Sequence, residues 1–367
     1  MDGTMIDLER IVVSGTASDM GEQYGEAARE KIVQFIDVRM DAVNQYAADR
    51  GRASANGILD VGARSLGLYQ KWDPEGYEEH MGIARGANVD AVLLYTSTNM
   101  TDMRDALLLR DGAQLPPDNE GCSAILIPQH MTRAGQAIVG QTWDLNPPDI
   151  DYVLAVHRKP LTGPQTWTVT CAGCLTLVGM NSHGISVGTT NIKTYGSRAG
   201  VGYLSILHKM IRARTVDEAS QALEGAPRSG AHVYWVADDT DLREYETNPD
   251  SHALRRAQDK AICHTNHCLH EDNIERQAEP CSTSSAARLR KIEQLLDRTD
   301  HDIDTVKAIF ADRSDGFDSV NRYPEDEQGT ATNSVFIAIP ERRMAVACRG
   351  PADRGQWYDL TFPTSEA

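Results

Sequence analysis

No apolar run in the sequence approaches the roughly 18–20 residues needed to cross a bilayer, so no membrane span is expected. A basic segment followed by an apolar stretch is also missing from the N-terminus, MDGTMIDLERIVVSG, and no signal peptide is expected. Basic residues are in deficit: 36 Lys and Arg stand against 53 Asp and Glu, a net charge of −17. Phosphate contacts need clustered cations, which excludes nucleic acid as a partner. Cysteine is sparse. Seven cysteines scattered over 367 residues, an odd number, do not form the framework of a small secreted protein. A reducing, cytoplasmic location is the expectation, with no membrane partner.

What is present is ordinary globular composition, 41% hydrophobic and 24% charged, enough for one large domain. Residues 1–110 read as mainly helical after a short strand around 9–14. Asp19 with Glu22 has capping-box spacing, and Tyr24, Ala28, Ile32, Phe35, Ile36, Met40 and Val43 follow at helical intervals. Further helices are expected over 77–85 and 89–109. A breaker-rich loop, DGAQLPPDNEG, occupies 111–121. From Cys122 to about Thr190 the pattern changes to short β runs separated by Gly, Pro and Asn. Helices return around Leu204, Leu207 and Ile211, after the capping pair Thr215 and Glu218, and over 286–296 and 303–310. Strands are expected at 231–237, 333–339, 343–348 and 357–362. Many antiparallel strands with two separate helical groups predict an α+β layered domain.

The chemistry concentrates in NEGCSAILIPQHMTRAGQAIVGQTWD, residues 119–144. A Gly-Cys pair opens a predicted strand, and a hairpin returns to Gly140-Gln141-Thr142-Trp143-Asp144. A thiol is the best side-chain nucleophile near neutral pH but needs a base. A cysteine at a chain terminus carries its own, because an α-amino group titrates near ~7.7–8.

This segment resembles the isopenicillin N acyltransferase-like family of N-terminal-nucleophile (Ntn) hydrolases. Their pattern is a Gly-Cys cleavage site, then a Gly-Gln-Asn-Trp-Asp-like strand about twenty residues later. Cys122 takes the nucleophile position and Asp144 the aspartate position, while Thr142 replaces the usual Asn. SGTASDMGEQYGEAAREKI, MGIARGANVD and MNSHGISVGTTNI resemble further family segments in the right order. CHTNHCLHED resembles the Thr-Asn-His stretch and puts Asn266 in the oxyanion-stabilising role. SSAARLRKIEQLL looks like the Ser-x-x-Arg helix that follows.

The resemblance implies a four-layer αββα sandwich with two antiparallel sheets face to face and helices outside. It implies a precursor, or zymogen, cut between Gly121 and Cys122. Residues 1–121 then form a small chain and 122–367 the catalytic large chain, a heterodimer sharing one core. It implies no cofactor and no metal, and a small-molecule amide as substrate: an N-acyl or aminoacyl amide cleaved through a Cys122 thioester. Asp144 is expected to orient the amine or the hairpin. Acyl transfer to an amine acceptor is the alternative. The family acyltransferase carries an Arg, in a Ser-Arg-Gly-Ala-Thr context, where this chain has Gly329; Arg322 lies close in sequence and could substitute. With Gly329 supplying no anchor for an anionic acceptor, hydrolysis is the expected outcome.

Five rival readings compete. A cysteine at a strand start is usually a small buried hydrophobe. Cys263, His264, His267, Cys268 and His270 could ligate zinc, but neighbouring residues on a strand point to opposite faces and do not converge on one centre. Cys171 and Cys174 lack the βαβ context of a redox pair. A papain-like enzyme would pair Cys122 with His264 or His267 and need no self-cleavage. That class seats its thiol at a helix N-terminus, whereas CSAILIP reads as a strand. A non-catalytic scaffold on the same fold would show no hyper-reactive cysteine.

Overall fold

The computed structural model describes residues 5–49, 56–109, 121–326 and 328–362. The expected loop at 111–120 lies outside the described residues. An eight-stranded sheet runs in the order β1 (Glu9–Gly15), β4 (Val153–Pro160), β5 (Thr166–Cys171), β6 (Val178–Asn181), β7 (Ser186–Asn191), β8 (His232–Ala237), β9 (Leu242–Thr247) and β10 (His252–Arg256). A six-stranded sheet runs β11 (Ile262–His264), β2 (Gly121–Ile127), β3 (Ile138–Leu145), β12 (Ala331–Ile339), β13 (Met344–Arg349) and β14 (Tyr358–Thr361). Among the described strands every pairing is antiparallel except β1 with β4, which is parallel and lies at the sheet edge.

Strand parity defines the layers. Along β2, Cys122, Ala124 and Leu126 belong to the core shared with the other sheet, while Ile125 and Ile127 join a second core under α10 (Thr283–Leu296) and α11 (Ile303–Phe310). On the far side of the large sheet lie α1 (Ala17–Ala27), α2 (Arg29–Ala48), α3 (Ile58–Trp72), α4 (Pro74–Ala87), α5 (Ala91–Thr98) and α6 (Met100–Leu108), with α7 (Tyr203–Met210) and α8 (Val216–Glu224) after β7. The arrangement is the four-layer αββα sandwich. Residues from Leu8 to Leu360, on both sides of Gly121, share the main core.

Several elements differ from the expectation. The first helix is capped by Thr16, whose hydroxyl accepts from the Asp19 amide while Asp19 accepts from the Thr16 amide; Asp19 closes the box one turn earlier than the Asp19–Glu22 spacing suggested. That helix ends at Ala27 and restarts at Arg29. Asn99 likewise divides the helix expected over 89–109. Helix α3 had no expectation. Helices α1 and α4 pack backbone to backbone through glycines in two G-x-x-x-G steps: a Cβ on Gly21 would meet the Glu79 carbonyl at 2.1 Å, and one on Gly86 the Glu22 carbonyl at 2.1 Å. The two sheets are tied at Gln141, whose Oε1 accepts from Trp235 Nε1 (2.9 Å) and from the Thr189 amide (2.7 Å).

Candidate active site

Cys122 is the second residue of β2 and pairs across the ladder with Trp143, so its side chain enters the space between the sheets. It lines a cleft with Leu177, Asn191, Tyr203 and Asn266. Its amide donates to Asn266 Oδ1 (2.8 Å), and its carbonyl accepts from Arg288 Nη1 (2.5 Å). Burial, reinforced by the Asp144 charge, pushes the thiol up to about 12, against a partial pull from Arg288 and the Asp144 and Asn191 amides. At neutral pH only on the order of 10⁻⁵ of such a thiol is ionised, so it needs a base at the site.

Parity sends Gly121, Ser123, Thr142 and Asp144 to the opposite face, toward α10. Gly121 sits across from Asp144. A Cβ on Gly121 would meet Arg322 Nη1 at 2.8 Å and Asp144 Cβ at 3.1 Å, which is the local reason for glycine before the cysteine. Asp144 is 1% exposed; its Oδ2 accepts a long bond from Thr142 Oγ1 (3.4 Å), and its Oδ1 has no hydrogen-bond partner among the described residues. Thr142, standing where the family has Asn, also accepts from the Ser123 amide (3.1 Å) and so pins the hairpin.

Asn266 has a defined orientation. Its Oδ1 accepts from both the Cys122 amide and Arg288 Nη2 (2.9 Å), and its Nδ2 donates to the Asn191 carbonyl (2.9 Å). A flipped amide would face two donors with a donor. The structure thus brings together all four residues singled out in sequence: Gly121, Cys122, Asp144 and Asn266.

Two buried arginines complete the site. Arg288, in the Ser-x-x-Arg turn of α10, bonds Cys122 O, Ser123 Oγ (3.0 Å) and Asn266 Oδ1. Burial lowers its pKa to about 9, with the neighbouring Arg322 charge lowering it further and Asp144 opposing. Arg322 donates to Thr330 Oγ1 (2.6 Å) and to Ser284 Oγ. Gly329 itself brings no cation, and the nearby Arg322, named as its possible substitute, is the residue that does. Gly329 holds a left-handed turn (φ +81°), and Arg322 supplies the guanidinium beside Gly121. The Ser-x-x-Arg pattern was the available signal for Arg288. Arg322 was named in the sequence only for lying near Gly329; its approach to Gly121 depends on β12 packing beside β3.

The histidine readings separate. His264 is engaged at both nitrogens, with Glu244 Oε1 (3.0 Å) and the His267 carbonyl (3.0 Å). His267 bonds Ser285 Oγ (2.8 Å), and burial lowers it to about 4. Neither is bonded to the Cys122 sulfur, so neither is positioned as a papain-like base. Cys263 packs in the outer core and Cys268 in a separate small cluster, so the sequence-adjacent ligands diverge; among the described residues no group of three or more His, Cys, Asp or Glu is placed to hold a metal. Cys171 and Cys174 are both buried and free, with no disulfide between them.

Two facing sheets enclosed by helices, with a thiol near the start of a central strand, define an Ntn-hydrolase fold, a class of amide-acting enzymes. Residues 131–352 match the family described as acyl-coenzyme A:6-aminopenicillanic acid acyl-transferase, and the chain belongs to that family. It is 24% identical over 361 residues, 96% of each chain, to the acyl-coenzyme A:6-aminopenicillanic-acid-acyltransferase 40 kDa form of Emericella nidulans. Among solved structures it is similar to a mutant conjugated bile acid hydrolase from Clostridium perfringens (TM-score 0.48, 12% identity, 66% of this chain and 92% of that one). It is also similar to an N-acylethanolamine-hydrolyzing acid amidase ortholog from Caenorhabditis elegans (TM-score 0.44, 14% identity, 66% of this chain and 100% of that one). No helix among the described residues is long and apolar enough to cross a membrane.

Proposed function

We propose that the protein is a self-processing cysteine amidohydrolase that cuts its own Gly121–Cys122 bond and then cleaves a small linear amide through a Cys122 thioester. The observation that carries this reading is the bare Oδ1 of Asp144, buried across the ladder from Gly121. A carboxylate oxygen left without a donor is costly, on the order of 1–3 kcal/mol. Cleavage turns the Cys122 peptide N–H into an amine with further hydrogens. One can stay on Asn266 Oδ1 and another can go to Asp144 Oδ1.

In processing, the Cys122 sulfur attacks the Gly121 carbonyl carbon, the C–N bond breaks, and the thiol proton goes to the departing nitrogen. Water then hydrolyses the thioester, leaving the Gly121 carboxylate and restoring the thiol. In turnover the freed amine takes the thiol proton, and the sulfur attacks the substrate carbonyl. The amine returns the proton to the leaving nitrogen, and water releases the acid. Asn266 Nδ2 has a second hydrogen beyond the one on Asn191 O, which it can direct at the oxyanion; Arg288 and Arg322 add positive potential. Residues 1–121 would remain bound as the small chain, because they share the core with 122–367.

A denaturing gel tests this. A third of 40.3 kDa gives a small chain of roughly 13 kDa and a large one of roughly 27 kDa, whose sequence should begin Cys-Ser-Ala-Ile. Cys122→Ala should remain full length, folded and inactive. Fully active, full-length wild-type protein would overturn the reading. Similarity along 96% of the Emericella acyltransferase favours a second reading, acyl transfer. New amide forming across an amine series, at concentrations too low to compete with water unaided, would decide for it.

A further inference from the structure

The cleft beside Cys122 has a second polar feature that the chemistry above leaves unused. His232, at the start of β8, and Asp102, on α6, form a buried pair, Nε2 to Oδ1 at 3.0 Å, with relative exposures of 2% and 1%. The imidazole lies flat against the Tyr203 ring (centroids 4.6 Å apart, 20° between planes). The second carboxylate oxygen of Asp102 accepts from the Tyr203 amide (2.6 Å). Gly230 makes room for this carboxylate, since a Cβ there would meet Asp102 Oδ1 at 2.5 Å. Facing the Asp102 carboxylate, a neutral imidazole carries its proton on Nε2 and presents a lone pair at Nδ1. Nδ1 is buried, has no partner among the described residues, and belongs to a ring that lines the nucleophile's cleft with Thr101 and Tyr203. It makes no bond to the Cys122 sulfur, and a substrate group reaches it only by displacing the atoms that now cover it.

Resting on the Cys122 thioester reading, we propose that His232, fixed in this tautomer by Asp102, is a specificity residue that accepts a hydrogen bond from an O–H or N–H group of the substrate. The protein would then prefer amides bearing a hydroxyl or amino group over hydrocarbon analogues. A site built to bond such a group discriminates strongly against its absence, because the buried acceptor is otherwise left unpaired.

The test compares isosteric pairs. On the acyl side, 4-hydroxybutanoyl and pentanoyl amides of a coumarin amine are used; on the amine side, ethanolamides and propylamides of one acid. The expected result is a kcat/KM ratio of roughly 10² or more in favour of the hydroxyl compound in one series, which identifies the half that reaches His232. His232→Phe keeps the ring against Tyr203 but removes the acceptor, and the ratio should fall to near one. Asp102→Asn is nearly isosteric and makes a sharper demand. The Tyr203 amide is a fixed donor and claims the Asn oxygen, so the Asn NH₂ faces Nε2 and forces the proton onto Nδ1. The acceptor becomes a donor, and the preference should vanish or reverse in a folded, self-processed protein. Ratios near one in both wild-type series, or a ratio unchanged by both variants, would overturn the proposal. Turnover that survives Cys122→Ala would instead overturn the thioester reading beneath it.

Discussion

Asp144→Asn is the most informative perturbation of the active site, because it removes one negative charge while preserving shape. In the uncut chain the Asp144 Oδ1 has no donor among the described residues, and its neighbour Gly121 has no side chain. After cleavage the Cys122 amine is the group that can fill this gap. A hydrogen bond to a charged partner contributes about 1.5–3 kcal/mol. Since about 1.4 kcal/mol is one pKa unit or a factor of ten, the carboxylate should hold the amine about 1–2 units above its value in the Asn variant. The sign follows directly: an anion favours the protonated amine, so removing it lowers the amine pKa and moves the acid limb of kcat/KM to lower pH by about 1–2 units. A mispositioned, weaker base should also slow turnover by roughly 10–10²-fold. The assay is a pH–rate profile on processed protein, with a gel time course for the cleavage itself. Wild-type processing together with an unmoved acid limb would reduce Asp144 to a hairpin residue.

Gly86→Ala should destabilise the protein by about 3 kcal/mol, the upper end for overpacking, because its methyl would meet the Glu22 carbonyl of α1 head on; urea unfolding checks this, and a change under about 0.5 kcal/mol would show that α1 and α4 slide apart freely. His80 is buried with Nε2 bonded to the Ala91 carbonyl (2.9 Å), and burial lowers its pKa to about 4. The unfolded chain, titrating near ~6.5, then binds the proton first, so this contribution to stability is full above ~6.5 and falls by about 3 kcal/mol as the pH drops to about 4. Urea midpoints over that range should fall less steeply in His80→Gln, and parallel curves would assign the acid sensitivity elsewhere.

Much of the architecture and the core of the candidate site were legible in the chain itself. The segments of β2 and β3 read as the two strands of a hairpin, because turn-forming residues separate two short β-prone runs. The helix over 303–310 was legible to the residue because Asp302 and Thr305 cap it locally. Gly121, Cys122, Asp144 and Asn266 could be named because short motifs carry them. The breaks at Ala28 and Asn99 were not legible, since the apolar spacing continues across both. Tertiary structure alone decided the rest. It placed Arg322 beside Gly121 through the pairing of β12 with β3, and it set Asp102 against His232, 130 residues away in sequence. It also brought Cys122 and Asp144, which alternate in side-chain direction along the ladder, to the lining of one cleft. Local residue patterns fix periodicity and caps, which act over a few residues. Which distant side chains share a buried site depends on sheet order and register, and those are set by the packing of the whole chain.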